Sequence, residues 1–253
     1  MTVHLLGTGS ADGGPDRTTT MLVVEHGPTT VLVDCGGDAV HRMLAMGLVP
    51  EALSAVVLTH EHPDHLAGYP LLVEKLWLRG RRAPLDVYGL APTLAKARAL
   101  FAVFSTDGWD GLPELRYHEV DAAPGAAVAD LGGVAVTATP VDHPVPTVGL
   151  RFEAGGACVA YSCDTAPSEA VVELGRGADV LVHEATGSLP GVHSSPEEAA
   201  RIAAAAGAGR LVLVHAPPDA SDDGLGPARA AFAATSWGWD GARVDVGGAG
   251  GGG

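Results

Sequence analysis

Thr59-His60-Glu61-His62-Pro63-Asp64-His65 places four candidate metal ligands, the imidazoles of His60, His62 and His65 and the carboxylate of Asp64, within six residues. Neutral imidazole suits borderline dications such as zinc, and a carboxylate offsets part of the ion's charge. Just upstream, Ser54-Ala55-Val56-Val57-Leu58 has the apolar, β-branched character of a buried strand. A rigid strand that delivers ligands into a tight loop is what a preorganised metal site needs. Further candidates stand where other apolar runs end: His143 in Thr139-Pro140-Val141-Asp142-His143, Asp164 in Tyr161-Ser162-Cys163-Asp164, and His215 in Val212-Leu213-Val214-His215. A last group, His183-Glu184-Ala185-Thr186, closes the apolar run 180–182, and His193-Ser194-Ser195 follows downstream.

The elements that must position these residues can be read from periodicity and punctuation. Strand character falls at 3–6, 18–25, 30–33, 54–58, 85–88, 115–120, 134–139, 148–152, 157–162, 180–182, 211–214 and 242–246. Helical spacing falls at 38–46, 66–78, 93–104, 167–174, 195–206 and 224–235, several of these runs being stopped by glycine. Ser195-Pro196-Glu197-Glu198 is a strong helix start, because Ser195 can cap, Pro196 fits the first helical turn, and Glu198 completes a capping box. Strand clusters with helices interspersed in both halves predict two packed sheets with helices outside. Loops at one edge of such a scaffold are where a site would be built. No composition break divides the chain, so one domain over 1–246 is expected, with 247–253 a flexible glycine-rich tail.

Composition narrows the function classes. The chain has 253 residues, 47% of them hydrophobic and 18% charged, enough to bury a sizeable core and too apolar for disorder. With 15 basic and 30 acidic residues it carries a formal charge of −15, which weighs against a protein that grips long nucleic acid through Lys and Arg. A small phosphate ester held by metal ions is not excluded by that charge. The three cysteines have no CxxC spacing, and no run reaches the roughly 18 apolar residues of a membrane span. These features predict a cytoplasmic protein with buried, reduced thiols and no membrane partner. Gly7-Thr8-Gly9 is not a dinucleotide fingerprint, since no GxGxxG surrounds it.

HxHxDH at 60–65, followed in order by His143, Asp164 and His215, resembles the metallo-β-lactamase superfamily over nearly the whole chain. The resemblance implies an α/β fold: an αββα four-layer sandwich of two mixed β-sheets flanked by helices, with a dinuclear site at one edge. It implies that His60, His62 and His143 hold one ion, that Asp64, His65 and His215 hold the second, and that Asp164 bridges them. Three protein ligands leave a position open for water, and two dications sharing that water would deprotonate it to hydroxide near neutral pH. A mixed nitrogen and oxygen donor set fits two zinc ions, with manganese or iron as alternatives.

The pairing of His183-Glu184-Ala185-Thr186 with His193-Ser194-Ser195, and the opening Leu6-Gly7-Thr8-Gly9-Ser10, is similar to the ribonuclease Z-like branch. By that likeness Glu184 orients His193, which assists phosphodiester cleavage, while Asp64 is both ligand and proton acceptor. His183 is not counted as a ligand. The tRNA-processing members carry a long arm between the positions of His143 and Asp164, whereas here Asp164 comes 21 positions after His143. The expectation is therefore an armless phosphodiesterase using a metal-bridged hydroxide on small or cyclic phosphodiesters. An ester, thioester or lactone hydrolase on the same metal core is the alternative, and tRNA 3′ processing is disfavoured. The branch also implies a homodimer as one assembly.

Overall fold

The computed structural model describes residues 1–247, so all but the first residue of the expected glycine-rich tail lies outside the described residues. Strands β1 (Thr2–Gly7), β2 (Met21–His26), β3 (Thr29–Val33), β4 (Ala55–Leu58), β5 (Leu85–Gly89) and β6 (Leu115–Glu119) form one sheet. The other holds β7 (Ala126–Leu131), β8 (Val134–Pro140), β9 (Val148–Ala154), β10 (Ala157–Tyr161), β11 (Val180–Glu184), β12 (Leu211–Val214) and β13 (Thr235–Trp237). β14 (Arg243–Asp245) returns to the first sheet beside β1, giving seven strands in each. Both sheets are mixed: β3 to β6 run parallel while β14, β1, β2 and β3 alternate, and β10 to β13 run parallel while β7 to β10 alternate.

Strand periodicity explains the layering. Val31 and Val33 of β3 and Val57 of β4 face the other sheet, where they meet Leu150, Phe152, Val159, Val182 and Val214. Their alternates Leu32, Val56 and Leu58 face outward and are covered by Met43, Tyr69, Leu72, Leu76 and Leu94. Those five come from α1 (Ala39–Ala45), α3 (Tyr69–Leu78) and α4 (Ala91–Ala102). On the second sheet, Ala160, Leu181, Leu211 and Leu213 face outward against Val171, Leu174, Ala199, Ile202 and Ala203 of α5 (Glu169–Gly175) and α6 (Pro196–Ala206). Strands buried on both faces read as continuous apolar runs, which is how the central ones appear in the sequence. The four-layer αββα sandwich follows.

Several boundaries differ from the sequence reading. The helix expected over 66–78 is α3, which starts only at Tyr69, and a separate short helix, α2 (Pro63–Leu66), precedes it. The break falls at Gly68, where a Cβ would lie 2.1 Å from the Gly37 carbonyl oxygen, so close backbone contact redirects the chain. The strand expected from 18 begins at Met21, because the Thr18 amide is taken by Asp240 and the Thr20 hydroxyl by the Gly9 carbonyl. β7 carries no clear strand signal in the sequence, since Ala-Ala-Val-Ala-Asp-Leu has little bulk, and its hairpin to β8 turns on Gly132 and Gly133, both left-handed. The helix expected at 224–235 is only α7 (Gly226–Ala231), preceded by a 3-10 turn at Asp222–Leu225 and followed by β13. The capping box at Ser195 is present as expected, with both reciprocal bonds to Glu198 formed.

Candidate metal centre

The chemistry-bearing residues gather at the carboxyl ends of parallel strands, where an α/β sheet opens its crevices. Asp34 follows β3, Thr59 and His60 follow β4, Cys163 and Asp164 lie just past β10, Glu184 ends β11, and His215 follows β12. Three of these, Asp34, Cys163 and His215, are non-glycine residues in the left-handed region, with φ of 59°, 55° and 51°. Each costs on the order of 1 kcal/mol, so the surrounding packing must over-determine them. The sharp turn they provide aims the next or the same side chain back across the strand ends.

All seven sequence-predicted ligand residues converge. Ligand atoms of His60, His62, His143 and Asp164 lie within 4.8 Å of one another, and so do those of Asp64, His65, Asp164 and His215. Asp164 belongs to both sets. Its Oδ2 is 3.9 Å from His60 Nε2 and 3.3 Å from His215 Nε2, and its Oδ1 is 3.5 Å from His65 Nε2. Asp64 Oδ2 lies 3.5 Å from His65 Nε2 and 3.2 Å from His215 Nε2.

Proton bookkeeping fixes which imidazole nitrogens are bare. His65 Nδ1 donates to Asp34 Oδ2 at 2.8 Å and His143 Nδ1 donates to the Val192 carbonyl at 3.0 Å. The Thr186 hydroxyl gives its proton to the His215 carbonyl, so it accepts from His215 Nδ1, at 2.6 Å. The Thr59 hydroxyl gives its proton to Asp34 Oδ2, so it accepts from His60 Nδ1, at 3.1 Å. In the neutral form that a metal ligand requires, each of these imidazoles has Nε2 as a lone pair pointing into the cluster.

A dication fits this arrangement. His60 Nε2 and His143 Nε2 lie 3.1 and 3.2 Å from His62 Nδ1, and both Nε2 atoms are unprotonated. Nitrogens about 2.05 Å from a tetrahedral ion stand about 3.3 Å apart, close to this spacing. His65 Nε2 and Asp164 Oδ1 are buried with no hydrogen-bond partner among the described residues. A buried polar atom without a partner is costly, and a bound cation would remove the cost. Cys163 Sγ faces the outer side of His60, 3.5 Å from Nδ1, so it stands behind the ligand set.

The electrostatics favour neutral imidazoles at His60 and His143, while in the absence of an ion the carboxylates draw His65 toward its charged form. Burial, reinforced by the neighbouring imidazole of His65, pushes His60 well below the ordinary imidazole value, and burial likewise lowers His143. Burial opposes the charged form of His65, but Asp164 and Asp34 outweigh it and raise this imidazole well up. Burial would raise Asp164, yet His215 and His65 hold it well below the usual carboxylate range.

Beside the cluster stands the second expected pair. Glu184 is fully buried; its Oε1 accepts from the Ser194 amide at 2.5 Å and from His193 Nδ1 at 3.3 Å, and its Oε2 accepts from the Thr186 amide at 2.9 Å. The His193 ring is half-buried, 5.5 Å between centroids from both His143 and His215. Burial works to lower its basicity, but the hydrogen bond and charge of Glu184 raise it overall. His183 points away from this group, its Nδ1 bonded to the Glu184 carbonyl.

Spacing alone does not single out Asp34, Thr59, Thr186 or the Val192 carbonyl, the four groups that fix the imidazoles from outside. Asp34 did carry a signal, as a lone acid ending an apolar strand. Thr59 and Thr186 sit next to residues the motifs name, and nothing in their type marks them.

A family model described as "Beta-lactamase superfamily domain" matches residues 29–216. A curated relative named ribonuclease Z, from Mycobacterium bovis (strain BCG / Pasteur 1173P2), is 34% identical over 97% of this chain and 95% of its own length. The crystal structure of YhfI from Bacillus subtilis, described as a metallo-beta-lactamase fold protein, superposes with a TM-score of 0.83 at 24% identity, over 97% of this chain and 98% of its own. The short form of human tRNase Z (ELAC1) superposes with a TM-score of 0.81 at 21% identity, over 98% of this chain and 100% of its own.

Proposed function

The chain belongs to the beta-lactamase superfamily, whose fold is that of metal-dependent hydrolases, and from this premise we propose that it cleaves small or cyclic phosphodiesters at a two-ion centre. His60, His62 and His143 would hold one ion, Asp64, His65 and His215 the other, with Asp164 between them. Five imidazoles and two carboxylates form a donor set suited to zinc, with manganese or iron as alternatives. When bound, the ions supply an activated water and positive charge against the phosphate oxygens.

The observation that carries the phosphodiester reading is the Glu184–His193 pair. Glu184 has no exposure and accepts from His193 Nδ1, so the imidazole is held in one orientation and presents Nε2 to the open side. Protonated, His193 can give that proton to the oxygen leaving phosphorus and offset charge building on the phosphoryl group. Acyl transfer through the same ligands has less use for a carboxylate-backed imidazole at this place. Asp64, with a side chain 12% exposed against 3% for Asp164, is the carboxylate placed to accept the proton of the attacking water.

The second reading is RNA 3′ processing, and it is favoured by the name of the mycobacterial relatives. Against it stand the charge of −15 and the short connection between His143 and Asp164, which holds only β9 and β10 with their turns. The alignment with the Mycobacterium bovis relative runs over 276 positions, more than the 253 residues of this chain, so that relative carries residues this chain lacks.

One panel tests these readings. Zinc-loaded protein is assayed against bis-p-nitrophenyl phosphate, 2′,3′-cyclic AMP, a pre-tRNA and p-nitrophenyl acetate. Turnover of the two small diesters with little of the acetate is expected. Turnover of the acetate alone would replace this reading with an ester hydrolase, and selective cleavage of the pre-tRNA would replace it with RNA processing.

A further inference from the structure

Thr59 is fully buried between the two sheets at the edge where the ligands meet. Every polar atom it has is engaged. Its amide donates to Asp34 Oδ1 at 2.8 Å, and its carbonyl accepts from the Val148 amide of β9 at 3.3 Å. Its hydroxyl donates to Asp34 Oδ2 at 2.8 Å, accepts from His60 Nδ1 at 3.1 Å, and accepts from Cys163 Sγ at 3.0 Å. A hydroxyl has one proton and two lone pairs, so this set saturates it.

The consequence is a continuous chain of bonds from one ligand set to the other. His60 Nδ1–H leads to the Thr59 oxygen, the Thr59 proton leads to Asp34 Oδ2, and that same oxygen takes the proton of His65 Nδ1. His60 belongs to one ligand set and His65 to the other. Cys163, which precedes Asp164, is tied to the same hydroxyl, so the shared carboxylate is positioned through it as well.

We propose that Thr59 is a positioning residue common to both ion sites: its hydroxyl sets the His60 tautomer and locks the Asp34 carboxylate that orients His65. This rests on the two-ion reading above. Loss of the hydroxyl removes the acceptor of His60 Nδ1 and one donor to Asp34 in a single step, so it weakens retention of both ions. Groups that orient metal ligands from outside typically control metal affinity by about 10–100-fold.

The test is equilibrium dialysis of the full chain against buffered free Zn²⁺, with zinc per chain counted for wild type, Thr59→Val and Thr59→Ser. Wild type is expected to take up two ions. In Thr59→Val both uptake steps move to higher free zinc by about tenfold or more, and Thr59→Ser, which keeps the hydroxyl, overlays wild type. Movement of one step only, of neither, or an equal shift in Thr59→Ser overturns the proposal. A wild type that binds fewer than two ions overturns the two-ion reading and this inference together, whereas two ions in wild type with an unmoved Thr59→Val overturns the inference alone. Nitrogen-15 NMR of zinc-loaded wild type decides the matter if Thr59→Val does not fold. Nδ1–H signals from both His60 and His65, with the His60 signal retained in Thr59→Ser, are required, and a His60 without an Nδ1 proton is fatal to the proposal.

Discussion

Gly36 and Asp64 touch backbone to backbone: a Cβ on Gly36 would stand 1.6 Å from the Asp64 carbonyl oxygen. The turn after β3 is thereby pressed against the ligand loop, and the Cys35 amide bonds the His65 carbonyl at 2.8 Å beside it. No rotamer relieves a clash between a Cβ and a backbone oxygen, so Gly36→Ala must displace one of the two segments. We expect it to cost about 3 kcal/mol or more, the upper end of overpacking penalties, and to lower metal content in the fraction that folds. Thermal unfolding and zinc analysis check this; an alanine variant with wild-type melting temperature and two bound ions would contradict the contact.

In the proposed reaction His193 acts on the leaving group and is not one of the seven ion ligands. His193→Ala should lower kcat on bis-p-nitrophenyl phosphate by about 10²–10⁴-fold, the usual scale of general acid catalysis, while leaving zinc content near that of wild type. Glu184 does more than orient His193, since it also accepts from the Ser194 and Thr186 amides. Glu184→Gln keeps one acceptor but replaces the other with a donor, so it should lower both kcat and stability. Equal activity in wild type and His193→Ala would remove His193 from the reaction.

Metal removal should act on the fold as well as on activity. His65 Nε2 and Asp164 Oδ1 are buried without a hydrogen-bond partner among the described residues, 3.5 Å from each other, so the ion-free chain carries part of their desolvation cost. Binding to the folded state alone stabilises by about 4 kcal/mol when the free ion is a thousand times its Kd. A chelator should therefore lower the melting temperature, and added zinc should restore it in proportion to the logarithm of its free concentration. A melting temperature indifferent to chelator would argue that these residues hold no ion.

How far the sequence could be read depended on whether position in an element or only tertiary contact carried the signal. His60, His143, Asp164 and His215 stand near the ends of apolar strands, and strand ends are visible as runs followed by polar residues. Asp34 has the same placement but belongs to no dense motif, so its bond to His65 emerges only when β3 and β4 pair in parallel. The left-handed turns at Asp34, Cys163 and His215 leave no trace in composition, since none of them is glycine. β7 escaped because alanine has little strand preference and its pairing is imposed by β8. The break before α3 escaped because Gly68 is required by a neighbour, Gly37, that is remote in sequence.

The three thiols provide a pH-dependent check on the packing behind the site. Cys35 and Cys163 are fully buried and Cys158 nearly so, and all three are free. Burial, with Glu153 and Asp179 adding to it against Arg151, pushes the Cys158 thiol up to about 11 from an ordinary value of 9.0. The thiolate is the nucleophile, so a raised value moves reactivity to higher pH. At pH 8 roughly one Cys158 in a thousand is ionised, and alkylation by iodoacetamide should speed up about tenfold per pH unit until near pH 11. Cys35 and Cys163, pushed well up by burial beside Asp34 and Asp164, should react only on unfolding. Mass mapping of the alkylated sites checks the order. Stoichiometric labelling of Cys163 in the folded chain at pH 8 would mean that its thiol is neither protonated nor enclosed, and its bond to Thr59 could not stand.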